Sequence, residues 1–289
     1  MRLVVISGRS GSGKSSALHV LEDLGFYCID NLPIGLLPSL VQHAEEDDRL
    51  RQIAVSIDAR NLAHTVERID DLLRNLPLEQ YQLDVVYLDA SESILLQRFS
   101  ATRRKHPLTS DVISLAEAIE REKPLLDPLA NMADLTLDTT MMSVHDLRSL
   151  IRLRVADKIS GDMSILFESF GFKHGIPTDA DYVFDVRHLP NPYWDEGLRG
   201  YTGLDEPVKN FLSQHDIVHQ MRKDIGDFMD RWMPSFINAN RSYMTIAIGC
   251  TGGQHRSVFI SEQLAQDFRQ RYPNVQVRHR EMNRTTSDH

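Results

Sequence analysis

The residues best suited to chemistry lie near the N-terminus. Residues 8–15 read Gly8-Arg9-Ser10-Gly11-Ser12-Gly13-Lys14-Ser15, the Gly-x4-Gly-Lys-Ser spacing of a phosphate-binding loop. Glycines free the backbone N–H groups of Ser10 to Lys14 to wrap a β-phosphate, and a helix opening at Lys14 adds the positive end of its dipole. Lys14 is spaced to reach β and γ oxygens, and the Ser15 hydroxyl to ligate Mg²⁺. An apolar run precedes the loop and a helical pattern follows it, the context that separates such a loop from a chance Gly/Ser-rich turn.

Other candidates follow in the first half. Asp89 closes the apolar run Val85-Val86-Tyr87-Leu88, where an acid holds Mg²⁺ through water; an ordinary loop aspartate is the alternative. Asp30 ends a strand-like segment and either orients a water or second substrate or makes a turn with Asn31. Asp58-Ala59-Arg60-Asn61 offers phosphate, base or ribose contacts, or is a plain turn. Arg98, Arg103, Arg104 and Lys105 fit an arginine-bearing lid over a transferring phosphate; a solvated helix face ended by His106-Pro107 competes.

A second constellation is Cys250-Thr251-Gly252-Gly253-Gln254-His255-Arg256-Ser257. Gly252 and Gly253 allow a nest of N–H groups, and Arg256 is spaced to fork onto phosphate oxygens. Cys-x5-Arg-Ser also fits cysteine-dependent phosphatases, where a thiolate is activated by a helix N-terminus and Arg. Against that reading, Gly249 stands where such enzymes carry a histidine. Arg256, Arg269, Arg271, Arg278, Arg280 and Arg284, interleaved with His279, fit a phosphate-backbone patch or a solvated terminal edge.

The elements that must position these groups alternate. Strand patterns cover 2–7, 26–30, 52–58, 85–88 and 133–138, and helix patterns 14–24, 62–76, 91–104, 114–129 and 144–159. Repeated strand–helix units mean a parallel sheet covered on both faces. Beyond residue 160 the pattern changes: strands at 164–172, 182–186, 244–250 and 275–278, one helical stretch at 207–232, another at 256–271, and a Pro-, Gly- and aromatic-rich loop at 189–207. The 289 residues favour two domains. Apolar residues at 42% and charged residues at 25% give a normal packed core. A net charge of −9 argues against a surface built wholly for nucleic acid. Two cysteines, Cys28 and Cys250, show no disulfide framework and indicate a reducing compartment. With no signal peptide and no apolar stretch near the ~20 residues of a membrane helix, a soluble cytoplasmic protein is expected.

The chain resembles the RapZ/YvcJ nucleotide-binding family over nearly its whole length. The resemblance is carried by the phosphate loop, Gly25-Phe26-Tyr27-Cys28-Ile29-Asp30-Asn31-Leu32-Pro33, Thr102-Arg103-Arg104 before His106-Pro107-Leu108, Phe167-Glu168-Ser169-Phe170-Gly171-Phe172-Lys173-His174-Gly175, and residues 249–257. It implies a P-loop kinase-like domain that binds and weakly hydrolyses ATP and GTP, with the segment Asp58 to Asn61 matching the one assigned to GTP. It implies a C-terminal domain that binds small regulatory RNA as an RNase adapter and senses an amino-sugar phosphate, seated at Cys250, Thr251, Gly252, Gly253, His255 and Arg256. It also implies a homo-oligomer. The chain departs from RapZ-type members at Tyr193, which stands for a histidine, and in its tail, residues 283–289, which lacks their lysine-rich stretch.

The expected fold is therefore α/β: a P-loop kinase-like parallel-sheet domain at 1–159 and a second, smaller α/β domain at 160–289 for phosphate ligands and RNA, Arg278 and Arg280 included. The expected chemistry is Mg²⁺-assisted attack of water on a γ-phosphate. Lys14 stabilises charge, Ser15 and Asp89 hold the metal, and Arg103 or Arg104 closes the site. Hydrolysis is expected to be slow, because no residue is placed as a strong general base. A small-molecule kinase and a Cys250 phosphatase are the competing classes, in that order.

Overall fold

The computed structural model describes residues 1–45, 50–61, 82–158 and 162–282. The chain divides into two compact units, Met1–Ser160 and Gly161–His289. The helix expected at 62–76, the tail and Arg284 lie outside the described residues.

The first unit is built on parallel strands β1 (Arg2–Gly8), β2 (Tyr27–Ile29), β3 (Gln52–Ser56), β4 (Gln82–Asp89) and β5 (Leu135–Asp138), in the order β2-β3-β1-β4-β5. Every residue of β1 is buried, as the unbroken apolar run of a doubly covered parallel strand requires. Helices α1 (Lys14–Asp23), α2 (Leu37–Glu45), α3 (Glu92–Thr102) and α4 (Leu115–Asn131) lie between strands, and α5 (Val144–Ile151) follows β5 and runs on into a π-turn at Arg152–Ala156. Of these, α2 carried no expectation from the sequence. Capping boxes set two starts: Ser114 with Glu117 opens α4, and Ser143 with Asp146 opens α5. Away from the phosphate loop, Asp84 is fully buried and takes both Arg2 (3.1 Å) and Lys158 (2.6 Å), so its charge is paired.

The second unit carries a four-stranded parallel sheet. Its strands β6 (Ser164–Gly171), β7 (Tyr182–Asp185), β8 (Tyr243–Cys250) and β9 (Val275–His279) run in the order β7-β8-β6-β9. The helical stretch expected at 207–232 is two helices, α6 (Glu206–Ser213) and α7 (Asp216–Asn238). His215 between them is extended (φ −105°, ψ 116°), and the break lets Leu212 and Val218 both enter the core. Helix α8 (Arg256–Arg269) follows β8 directly. No described helix is long and apolar enough to cross a membrane.

Candidate functional site

The phosphate loop joins β1 to α1, and its shape follows from two glycines. Gly8 has φ +138°, and a Cβ there would lie 2.0 Å from the Leu88 carbonyl oxygen on β4. Gly13 caps α1 in the left-handed region (φ 112°, ψ 14°), a conformation that costs other residues strain. Ser10 to Ser16 line a crevice of about 460 Å³, within the range of small-ligand sites. Lys14 Nζ donates to the Gly8 (2.6 Å) and Arg9 (3.2 Å) carbonyls. Burial pushes the Lys14 ammonium below its ordinary pKa, opposed by the negative charges of Glu122, Asp58 and Asp30. The Ser12 hydroxyl is buried with no hydrogen-bond partner among the described residues, an open polar atom on the crevice wall.

Sheet order divides the rest of the wall. On the β2–β3 side stand Asp30, Asn31, Ser56, Asp58 and Arg60. Ser56 Oγ accepts the Asn31 N–H at 2.7 Å and donates to Asp30 Oδ1. Arg60 grips Asp58 through Nη2 (2.6 Å) and Nε (3.0 Å), and its backbone N–H reaches Oδ1 at 2.9 Å. Ala59 and Asn61 complete the short turn Ala59–Asn61 that places Arg60. On the β5 side stand Thr139, Met142, Ser143, Val144 and Leu147, a wall that the motifs did not mark. Arg98, expected as a lid cation, ties that wall to the loop: it donates to the Gly11 carbonyl and to Thr139 Oγ1, both at 3.0 Å.

Three expected positions differ. Arg9 points away from the crevice into a buried seam, donating to the Ile119 carbonyl of α4 at 2.9 Å. Asp89 does not line the crevice; its carboxylate accepts the Ala90 N–H at 2.7 Å and lies 3.9 Å from Arg9. The strand turns it toward Arg9, so the acids that line the crevice near Lys14 are Asp30 and Asp58. Arg103 sits exposed at the end of α3 in the left-handed region (φ 53°), and its neighbours Arg104 and Lys105 line the crevice instead.

The residue that sequence reading missed is Glu122. It lies on the apolar stripe of α4 with Ala118, Ile119, Leu126 and Leu129, an acid among core positions, which is the signal that marks it. Its carboxylate accepts the Ser10 N–H (2.8 Å) and hydroxyl (2.6 Å) and lies 3.3 Å from His106 Nε2. The Leu108 N–H donates to His106 Nδ1 at 3.2 Å, so Nε2 carries the proton it gives Glu122. Burial pushes the Glu122 carboxyl up, but hydrogen bonds from His106 and Ser10 and the charge of Lys14 hold it below the ordinary range.

In the second unit, Cys250 ends β8 and Arg256 begins α8. Gly253 takes φ +75°, and a Cβ there would collide with Glu281 Oε2 at 2.4 Å and the Gly171 nitrogen at 2.6 Å. The Cys250 sulfur is buried, accepting the Gly253 N–H at 3.2 Å and lying 3.1 Å from Ser257 Oγ. Arg256 spends Nη1 on the Arg187 (2.6 Å) and Leu189 (3.0 Å) carbonyls and Nη2 on Thr251 Oγ1 (3.3 Å). His255 is buried, which pushes its pKa down. Thr251 is exposed and Gly252 half-buried; the exposed Lys173 donates its backbone N–H to the Thr251 carbonyl at 3.3 Å.

The arginine patch is not an open row. Register places Arg278 opposite Glu168, and its guanidinium donates to that buried carboxylate at 3.0 Å. Arg280 is half-buried, with Nη1 enclosed and lacking a hydrogen-bond partner among the described residues, and Arg271 pairs with Asp230.

Comparisons with known proteins agree with this division. Residues 1–159 match the family model for the RapZ-like N-terminal domain, and residues 163–283 that for the RapZ C-terminal domain. The chain is 57% identical over 285 residues to a nucleotide-binding protein of Marinobacter nauticus, covering 98% of this chain and 97% of that one. It is 53% identical over 284 residues to a nucleotide-binding protein of Hahella chejuensis, covering 98% and 99%. Among solved structures, a sugar kinase from Janibacter sp. is similar at TM-score 0.38 and 22% identity, over 54% of this chain and 96% of its own.

Proposed function

The chain belongs to the RapZ family of nucleotide-binding proteins, and on that footing we propose that its first unit binds ATP or GTP with Mg²⁺ around Lys14 and hydrolyses it slowly. The observation that carries this reading is a complete phosphate loop whose Lys14 and Ser15 line a crevice with oxygen donors on the facing wall. The β5 wall, with Thr139, Met142, Ser143, Val144 and Leu147 lining it, suits a base and ribose. Segment 58–61, which the resemblance ties to GTP, faces the phosphates from the other side.

Mg²⁺ favours hard oxygen ligands and commonly takes one or two carboxylates beside substrate phosphates. Ser15 and Asp58 supply that set, in place of Ser15 and Asp89. When bound, the ion neutralises charge on the β and γ oxygens. Lys14 turns from the Gly8 and Arg9 carbonyls to the phosphates and stabilises charge that develops on the γ-phosphoryl group. Arg104 and Lys105 close the site from the lid segment. Hydrolysis stays slow because a lone water, unlike a bound substrate, is not held in line with the γ-phosphoryl group.

By the same family likeness, the second unit binds a sugar phosphate at the loop from Cys250 to Arg256, where Thr251 is exposed, and small RNA in an RNase-adapter role, as part of a homo-oligomer. Because Arg278 and Arg280 are drawn inward, the RNA-facing groups are better sought at Trp194 (77% exposed) and Tyr193 (52% exposed), with Arg199 5.3 Å from the Tyr193 ring. Exposed aromatics with arginine suit base stacking.

The test is phosphate release from MgATP and MgGTP by the full chain and by Lys14→Ala. Slow release that falls at least tenfold in the variant supports the reading; equal release sinks it.

A further inference from the structure

We propose that the β2–β3 wall of the crevice is an acceptor arm, which holds a small hydroxylated anion, a sugar acid or sugar phosphate, and presents one hydroxyl to the γ-phosphoryl group. The proposal rests on the nucleotide reading above and names a second substrate for the same crevice.

The first observation is the asymmetry of the walls about β1. The β5 side presents Thr139, Met142, Ser143, Val144 and Leu147, with the Arg98 cation tied to Thr139 and no acid among the lining residues. The β2–β3 side presents Asp30, Asp58 and Arg60. A lone nucleotide needs one base wall and a phosphate cradle; hydrolysis needs only room for a water. Apart from Asp58, given to Mg²⁺ above, and Arg60, paired with it, this wall leaves Asp30 surplus to both.

The second observation is how Asp30 is held. Ser56 is buried, and its oxygen accepts the Asn31 N–H, so its proton is directed to Asp30 Oδ1. That fixes one carboxylate oxygen from behind. Asp30 itself is exposed and lines the crevice, which leaves Oδ2 to accept a hydroxyl from a ligand. Groups fixed by supporting hydrogen bonds are the ones that position substrates well.

The third observation is charge balance. Asp58 and Arg60 neutralise one another in a paired contact. Asp30 then shares the crevice with the cations Lys14, Arg98, Arg104 and Lys105, the last two exposed on the lid segment. One acid against this excess of cations favours a ligand that brings hydroxyls to the acid and an anionic group to the cations.

The step balances without any further reagent. The acceptor hydroxyl gives its proton to Asp30 Oδ2 as its oxygen bonds to the γ-phosphorus. The bond from that phosphorus to the β–γ bridging oxygen breaks, and the nucleoside diphosphate leaves with the electron pair.

The experiment uses the full chain with MgATP and two probes, gluconate and ribose 5-phosphate, each added alone. ADP formation and any new phosphate ester are followed by chromatography and ³¹P NMR, with ATP binding measured in parallel. The expected result is that at least one probe raises ADP formation tenfold or more over water alone, with one phosphate ester per ADP. Asp30→Asn is expected to lower transfer about a hundredfold, in line with loss of a general base. The pair Arg104→Ala and Lys105→Ala is expected to raise the KM for the probe about tenfold. Intact ATP binding with no acceleration by either probe overturns the acceptor arm and leaves nucleotide binding standing. Wild-type transfer in folded Asp30→Asn overturns it too. Loss of ATP binding in the wild type would instead overturn the reading on which the arm depends.

Discussion

Glu122 accepts the backbone N–H of Ser10 at 2.8 Å and its hydroxyl at 2.6 Å, so a buried carboxylate from α4 is built into the phosphate loop. The same carboxylate meets His106, whose ring accepts the Leu108 N–H. A continuous chain of hydrogen bonds thus links the loop to the segment that carries Arg104 and Lys105. Glu122→Ala strands a buried N–H and a buried imidazole, and is predicted to lower the stability of the first unit by about 3 kcal/mol. Urea unfolding checks this; a change below about 0.5 kcal/mol would contradict it.

Gly8→Ala tests the other support of the loop. A Cβ would fall 2.0 Å from a backbone oxygen of β4 at φ +138°. Neither the strand nor the loop can yield cheaply, so strain and overlap together predict about 3 kcal/mol of destabilisation. A variant as stable as the wild type, by thermal unfolding, would refute that geometry.

Cys250→Ser separates a phosphate cradle from a phosphatase. The sulfur is buried, and Arg256 spends Nη1 on the carbonyls of Arg187 and Leu189 and Nη2 on Thr251 Oγ1. The expected outcome is unchanged release of phosphate from p-nitrophenyl phosphate and from ATP. Vanadate-sensitive turnover lost in this variant alone would reinstate the thiolate chemistry.

Glu168 predicts a pH dependence in the second unit. Burial pushes its carboxyl up from 4.5 to about 7, against the lowering charges of Arg278 and Arg280, while Asp179 and Glu281 push it further up. The folded state therefore holds this proton where the unfolded chain has lost it. The resulting stability is full below about 4.5 and is lost as pH rises through 7, at up to about 1.4 kcal/mol per pH unit. The melting temperature of this unit is expected to fall between pH 6 and 8 and to flatten in Glu168→Gln. A melting temperature that rises over this interval, with the same slope in the variant, would contradict the assignment.

Much of the fold and part of the site are legible in the sequence, for identifiable reasons. The phosphate loop is local: eight consecutive residues dictate its turn, its helix start and its lysine. The parallel sheet is legible because buried strands read as apolar runs. Facing directions are not local. Asp89 stands at a strand end, as a metal-binding acid does, yet the strand turns it to Arg9, and nothing within the strand reveals that. Arg278 reads as an exposed cation until register sets it against Glu168, 110 residues away. Glu122 is the converse: an acid on the apolar stripe of α4 was visible, but its partner Ser10 is 112 residues distant.

The most direct test of the central claim is calorimetric titration of the full chain with ATP and with GTP in the presence of Mg²⁺, repeated on Lys14→Ala. Saturable binding of at least one triphosphate near one site per chain, weakened at least tenfold in the variant, is the predicted result. Absence of binding, or equal affinity with Lys14 removed, would contradict the assignment of the loop around Lys14 as the nucleotide site.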